Sequence, residues 1–305
     1  MHLQGVLLHV AGLWLLSVLD ATGKWLVMGG VSVLMVAWFR YVVHVALMAA
    51  IVVPQRGLSI WRTHSLAWQM VRGTCMIATT VLFFSVLGRL PLAEGTAMNF
   101  MAPLFLMAMA PWLLGEPHRL HRWVGVLGGF VGMLIVVRPG AELDPIGIAL
   151  GLLTALVFAF FQMATRRVGR DDPLTTNFYG GVFGALALTL ALPWFWSVDG
   201  LSTAQWLLLA STGVTGFLGH WLQITAYSRT PATLLAPFSY LQILAATTLG
   251  WLLFNQLPGR TTALGIGLIC VSGLGVVLVE VLRHKPLTPA STPSEETGAN
   301  KKANG

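Results

Sequence analysis

Ten long apolar segments follow one another along this 305-residue chain, and they limit its fold more than any other feature. The hydrocarbon core of a bilayer is about 30 Å thick, so a helix needs about 20 mostly apolar residues to cross it. Segments of about that length cover residues 5–25, 31–53, 67–88, 92–114, 121–138, 145–165, 176–196, 203–224, 231–254 and 262–282. The sequence therefore predicts an all-α membrane protein with ten transmembrane helices.

The charged residues are too few and too scattered for most soluble classes of protein. They make up 10% of the chain, against about a quarter in ordinary soluble domains. The net charge is +7, but the basic residues stand singly between apolar runs and form no basic patch. No nucleic-acid partner is predicted, and the basic residues are interpreted as topology signals.

The ten segments divide into two sets of five at the break formed by Arg138, Pro139 and Gly140. We predict a first five-helix repeat over residues 1–140, a second over 141–283 and a disordered cytoplasmic tail over 284–305, where Pro, Ser, Thr, Asn and Lys predominate. An odd number of helices makes the second repeat enter the membrane in the opposite sense, which gives inverted repeats. Three pairs at one offset support the repeat: Ala93/Ala232, Ala97/Ala236 and Trp112/Trp251.

The distribution of lysine and arginine predicts the orientation, because cytoplasmic loops retain these residues. With the N-terminus inside, thirteen fall in inner loops and the tail and four in outer connections, while Arg40 lies inside the second span. The thirteen include Arg72, and the four include Lys24. Both termini are predicted to be cytoplasmic.

Ionisable residues within the first two spans are candidate functional groups, because a charge in the membrane costs about 2.5 to 3.5 kcal/mol even on insertion scales. Asp20 and Lys24 are four residues apart on one helix face, where they either pair, with Lys24 reaching outward to the interface, or serve a site. Arg40 either binds a substrate carboxylate or locks Asp20 across the bundle. The sequence leaves both pairs of alternatives open.

The fourth span offers a second group of candidates. Glu94 at its start either meets the dipole of the helix N-terminus or acts as a proton-coupling carboxylate that faces a cavity; Asp20 is a further coupling candidate. Asn99 and Pro103 should interrupt this helix and free a backbone carbonyl for a polar cavity.

The second half carries polar residues on several apolar helices. His220, Gln223 and Tyr227 share one face of the eighth span, where they either line a cavity or bond neighbouring helices. Further candidates for substrate contact are Trp14, Gln162, Tyr240 and Gln242. The predicted substrate-binding residues are thus Trp14, Asp20, Arg40, Asn99, Gln162, His220, Gln223, Tyr240 and Gln242.

Short motifs in a fixed order give the chain a family resemblance as far as about Val281. They include Asp20-Ala21-Thr22-Gly23-Lys24 and Trp38-Phe39-Arg40-Tyr41, with further matches at 90–94, 102–105, 114–116, 136–140, 236–240 and 250–254. The chain resembles the EamA-type carriers of the drug/metabolite transporter superfamily. One departure is Asn255-Gln256, where the family usually has glycine and glutamate.

The resemblance implies a bacterial inner-membrane transporter that moves a small polar or amphipathic metabolite by alternating access. The first two spans are most similar to the branch that exports opine-type metallophores such as pseudopaline, so export of an amino-acid-derived compound is expected. An importer of a metabolite such as riboflavin or S-adenosylmethionine is the alternative, and a non-transporting structural or signalling membrane protein is the alternative of another class. We expect no enzymatic activity, no cofactor and no metal site; coupling to protons or another ion stays open.

Overall fold

The computed structural model describes residues 2–114, 120–137, 143–196, 200–230 and 235–283, and within these ranges every regular element is a helix. The first half contains α1 (His2–Met28), α2 (Val33–Leu47), α3 (Val53–Arg56), α4 (Leu66–Leu87), α5 (Leu92–Asn99), α6 (Ala102–Leu114) and α7 (Leu120–Val137). A π-helical turn, Met48–Val52, joins α2 to α3, and the 3-10 turn Gly57–Trp61 follows.

The second half begins with α8 (Pro145–Arg167), α9 (Pro173–Ala191) and α10 (Thr203–Arg229). A 3-10 turn, Ala236–Tyr240, leads into α11 (Leu241–Phe254), and α12 (Arg260–Arg283) completes the described chain. The predicted division near residue 140 and the predicted tail at 284–305 both lie outside the described residues.

Six helical segments are long and apolar enough to cross a membrane: Leu3–Met28, Val33–Arg56, Leu66–Leu87, Leu92–Met109, Pro145–Arg167 and Pro173–Trp194. Three shorter apolar helical segments are Trp123–Val136, Phe238–Phe254 and Arg260–Val276. The more polar α10 has 27 residues, which at 1.5 Å per residue gives a length of about 40 Å. The prediction of an all-helical membrane protein is confirmed.

Polar residues at the predicted breaks start the helices. Asp144 and Asp172 accept hydrogen bonds from the backbone amides two residues onward, and a proline occupies the first helical position after each. Ser202 and Gln205 form a capping box at the start of α10. The fourth span is interrupted between Asn99 and Ala102, as predicted.

Helices from the two halves of the chain pack against each other in several long contacts. α1 packs extensively along α10, and α4 packs along α8. α7 and α12 form another long contact, in which Gly132 and Gly265 bring the two backbones together: a Cβ atom added at Gly265 would lie 2.7 Å from the carbonyl oxygen of Gly132. Small residues permit this close approach of membrane helices.

Two basic residues lie deeper than the sequence predicted. Lys24 is only 2% exposed, and its ammonium donates to the carbonyl oxygens of Leu87 at 2.6 Å and Leu90 at 2.7 Å. Of the two alternatives for Lys24, pairing with Asp20 and an outward reach was therefore wrong, because free carbonyls at the end of α4 satisfy the ammonium instead. Arg72 was placed in a loop, whereas it lies inside α4 and is buried.

Candidate functional site

A cavity of about 530 Å³ lies between the two halves of the described bundle. The first half lines it from α1, α2, α4 and the α5–α6 break, and the second half lines it from α8, α9, α10 and the segment around the start of α11. The helices α7 and α12, which pack on each other, contribute no side chain to this lining among the described residues. Eight of the ten predicted spans therefore meet at one space.

The charged residues of the cavity wall are Asp20, Arg40 and Arg72. The Arg40 guanidinium donates through Nη1 to Thr80 Oγ1 at 2.8 Å. Within the described ranges, neither arginine forms an ion pair with a carboxylate. The predicted lock between Arg40 and Asp20 needs an ion pair that this structure does not contain, and the carboxylate-binding role of Arg40 stays a prediction.

A polar cluster joins α1 to the second half at the cavity wall. His9 Nε2 lies 3.2 Å from Ser239 Oγ, and Gln223 donates through Nε2 to the carbonyl oxygen of His9 at 3.2 Å. The ring of Tyr227 meets the ring of His9 edge-on, with 5.6 Å between centroids. The sequence left open whether Gln223 lines a cavity or bonds a neighbouring helix, and in the structure it does both.

Aromatic and amide side chains complete the wall. The rings of Phe158 and Phe161 stack with centroids 5.4 Å apart, and Phe161 also lies under the Arg72 guanidinium, 4.7 Å from its Cζ. Amide groups come from Asn99, Asn177, Gln162, Gln223 and Gln242. Apolar faces with a few placed polar groups are typical of sites for small amphipathic molecules.

A smaller cavity of about 260 Å³ adjoins the first and shares Arg72, Thr165, Asn177, His220, Gln223 and Tyr227 with it. It extends past Val168 to Gly169 and Asp171, in the turn between α8 and α9. The central cavity therefore continues toward the end of the bundle that carries this turn.

Asp171 connects the two halves at that end. Its carboxylate accepts hydrogen bonds from Thr63, from the His64 amide at 2.7 Å and from Gln69 Nε2 at 2.8 Å, and it lies 2.6 Å from His64 Nδ1. Burial alone would raise the pKa of Asp171, but these hydrogen bonds outweigh it and lower the pKa to about 2. The carboxylate is thus ionised at neutral pH.

Seven of the nine predicted substrate-binding residues line the cavity: Asp20, Arg40, Asn99, Gln162, His220, Gln223 and Gln242. Trp14 and Tyr240 do not. Trp14 is exposed, and Tyr240 packs against Phe100 with its hydroxyl beside Gly273. Glu94, proposed for proton coupling, is also outside the lining; it is buried at the third position of α5, where the helix dipole favours a carboxylate. Substrate binding and proton coupling stay predictions.

Sequence reasoning missed seven polar residues of the wall: His9, Arg72, Thr79, Thr80, Thr165, Asn177 and Ser239. His9 had a readable signal, since it shares one face of α1 with Leu13, Leu16 and Asp20. Arg72 was missed because it was counted among the loop residues for the orientation, whereas the predicted span 67–88 contains it and the structure places it in the second turn of α4. Across the described part of the chain, no three His, Cys, Asp or Glu side chains come together as metal ligands.

Comparisons with known proteins show relatives that are transporters. The chain is 28% identical over 275 residues to the pseudopaline exporter CntI of Pseudomonas aeruginosa (strain UCBPP-PA14), which covers 88% of this chain and 94% of the relative. It is 28% identical to an S-adenosylmethionine uptake transporter of Rickettsia bellii, over 62% of this chain and 65% of the relative. It is 27% identical to a riboflavin transporter of Vibrio cholerae, over 69% and 71%.

A solved structure and a family model also match this chain. A solved crystal structure resembles this fold with a TM-score of 0.64 at 21% identity, covering 92% of this chain and 99% of the other. The model of the EamA-like transporter family matches residues 3–138 and 145–278. The chain therefore belongs to the EamA-like transporter family and is a membrane transporter, not an enzyme.

Proposed function

We propose that the chain is a ten-span secondary transporter, built of two inverted five-helix repeats, that exports a small amino-acid-derived metabolite from the bacterial cytoplasm by alternating access. The two halves rock about the central cavity and expose it to one side of the inner membrane at a time. Both termini lie in the cytoplasm. The observation that carries the proposal is the polar cavity lined by four spans from each half.

The pattern of packing supports the two repeats. If spans one to five correspond to spans six to ten, the contact of α1 with α10 corresponds to the contact of α8 with α4, and both are among the most extensive in the described chain. The contact of α7 with α12 corresponds to itself. The family model also matches each half separately. An inverted pair of repeats predicts all three observations.

Export is favoured by the relative whose match covers most of both chains among the three compared, which is named an exporter. An opine-type metallophore, such as the pseudopaline named for that relative, is one candidate solute. Uptake stays the alternative, because two of the relatives are named for riboflavin or for S-adenosylmethionine uptake.

Solute flux in proteoliposomes tests the transport function. We expect protein-dependent, saturable movement of at least one solute from a panel of amino acids, opines, riboflavin and S-adenosylmethionine. Folded protein that moves none of them would favour the structural or signalling alternative. A deletion strain then decides the direction: a solute that accumulates in the cells indicates export, and a solute that is depleted indicates uptake.

A further inference from the structure

Arg72 is a buried cation that forms no ion pair among the described residues. The carboxylate of Asp171 also lines the smaller cavity, but it is bonded to Thr63, His64 and Gln69 instead of Arg72. The side chain of Arg72 lies in α4 with 8% of the residue exposed, and it lines both the central cavity and the smaller one. Nε donates to Thr165 Oγ1 at 3.1 Å, and Nη1 donates to the carbonyl oxygen of Thr176 at 2.9 Å. Both partners are neutral. A buried charge without an ion pair is costly, so the site favours an anion.

Arg40 supplies a second cation on the same wall. Arg40 donates to Thr80, which lies eight residues after Arg72 on α4. The backbone positions of Arg72 and Thr80 are therefore about 12 Å apart along the helix. Met76 lines the cavity between them. Each guanidinium has five N–H donors, and the bonds to described residues use one donor of Arg40 and two of Arg72. Donors therefore remain for a ligand.

The lining contains one acid against these two cations. Asp20 is the single carboxylate among the described lining residues, and the other polar groups are hydroxyls, amides and imidazoles. On the wall of the central cavity, two guanidinium groups thus accompany one carboxyl group, and Asp171 lies beyond it on the smaller cavity. A complementary solute has at least two carboxylates for the arginines and an ammonium group for Asp20. The cavity volume of about 530 Å³ falls within the usual range for small-molecule sites.

We propose that Arg72 and Arg40 together bind the carboxylates of the transported solute, and that this solute is an amino compound with two or more carboxylates and a net negative charge. The inference rests on the proposed transport function. It adds Arg72 to the site and excludes neutral and cationic amino acids as preferred substrates.

The binding test uses three dipeptides of nearly equal size. Glu-Glu, Glu-Gln and Gln-Gln each have one ammonium group and carry three, two and one carboxylates. Dissociation constants for purified wild-type protein in nanodiscs, measured by isothermal titration calorimetry, should increase from Glu-Glu to Gln-Gln, by roughly tenfold for each of the two steps, since charge-assisted hydrogen bonds are the stronger kind. Equal affinities, the reverse order or no binding of any dipeptide would overturn the proposal.

Variants separate a ligand role of Arg72 from a structural one. Arg72→Gln should weaken Glu-Glu binding at least about tenfold and leave Gln-Gln binding within about threefold, while Arg72→Lys, which keeps the charge but not the guanidinium fork, should retain part of the preference for Glu-Glu. Arg89→Gln is the matched control, because Arg89 pairs with Asp144 outside the cavity. A uniform loss of affinity for all dipeptides in folded Arg72→Gln would mean that Arg72 only supports the fold. If Arg72→Gln does not fold, the dipeptide series on the wild-type protein and on Arg72→Lys still tests the ligand role of Arg72.

Flux measurements in proteoliposomes distinguish a failure of this inference from a failure of the proposed function. Saturable flux of a neutral solute, together with equal affinities for the dipeptides, would preserve the transport function and refute the anion site. A graded preference in binding without any flux would preserve the anion site and refute transport.

Discussion

At the scale of single residues, Asp171 shows how one buried carboxylate can connect the two halves. It gathers donors from the loop before α4, from Gln69 on α4 and from the exposed His64 ring, whereas Asp171 itself belongs to the second half. A carboxylate with several donors is stabilised in its charged form. The turn between α8 and α9 is thereby tied to the opposite half.

Asp171→Asn should therefore destabilise the protein at neutral pH. The pKa of Asp171 falls from an ordinary 3.8 to about 2 on folding, so its contribution is complete above about pH 4 and is lost as the pH falls toward 2. The expected loss at pH 7 is on the order of 1–2 kcal/mol. Thermal unfolding of both proteins at pH 7 and at successively lower pH measures it, and the difference should shrink below about pH 4.

Asp172→Asn is the control for this prediction. Asp172 caps α9 and lies 3.5 Å from Arg56 in an exposed ion pair. Asparagine caps as well as aspartate, and exposed pairs contribute little, so the change should be small. An equal effect of the two substitutions would contradict the special role of Asp171.

Replacing Arg40 distinguishes its two interpretations, substrate binding and a structural lock. Arg40→Leu should abolish flux while the protein still folds and inserts, because the structure shows Arg40 bonded to Thr80 and not paired with Asp20. Flux assays and size-exclusion profiles of the same preparation check both properties. Loss of folded protein would instead support a structural role for Arg40.

Single polar residues were the easiest part of the site to predict. Asp20, Arg40 and His220 stand out in sequence because charge or polarity in an apolar span is expensive. The rotation of each helix decides which of them meet, and local sequence does not fix it. Trp14 was misplaced for that reason, and His9 was overlooked.

At the scale of helices, the α11 terminus shows what Asn255 does at a position where the family resemblance led us to expect glycine. Asn255 adopts a left-handed conformation with φ of 52° and caps α11, and its amide donates to the carbonyl oxygen of Trp251 at 3.0 Å. Glycine and asparagine are the residues that tolerate this conformation best. Asn255 therefore makes a backbone turn that the glycine expected here from the family resemblance would also tolerate.

The close contact between α7 and α12 predicts that a larger residue at position 265 destabilises the protein. Gly265→Ala would place Cβ 2.7 Å from the Gly132 carbonyl oxygen and 2.9 Å from the Val136 nitrogen, both backbone atoms that cannot rotate away. We expect a loss of about 1–3 kcal/mol, as for other overpacked sites. Thermal unfolding in detergent measures the loss.

Gly267 on the same helix provides the control. A Cβ atom at Gly267 meets nothing within 4 Å, so Gly267→Ala should be neutral or slightly stabilising through helix propensity. If both alanine variants were equally stable, the two helices would not depend on the close glycine contact.

The presence of the helices could be predicted well, because the length and apolarity of the segments determine it. Helix ends could not, since capping side chains and free carbonyls decide them: α1 extends to Met28, beyond the predicted residue 25, and Lys24 satisfies carbonyls at the end of α4. The error changed the interpretation of Lys24 from an interfacial cation to a buried helix-end contact.

At the scale of the whole molecule, the buried positions of Arg72 and Lys24 refine the charge argument for orientation. Removing both from the loops leaves twelve basic residues on the predicted inner side and three on the outer side. The asymmetry persists, so cytoplasmic termini stay the prediction. The central cavity itself was expected only in outline, because it forms where eight spans from both halves converge.

The most direct test of the account asks whether solute passes through this cavity. Cys75 and Cys270 are replaced by serine, a single cysteine is introduced as Gln162→Cys on the cavity wall or as Arg62→Cys on the exposed loop, and flux in proteoliposomes is measured before and after complete modification with a bulky maleimide. We predict that modification stops flux through the Gln162→Cys protein and leaves the Arg62→Cys protein active. Undiminished flux after full modification at residue 162 would contradict transport through the central cavity.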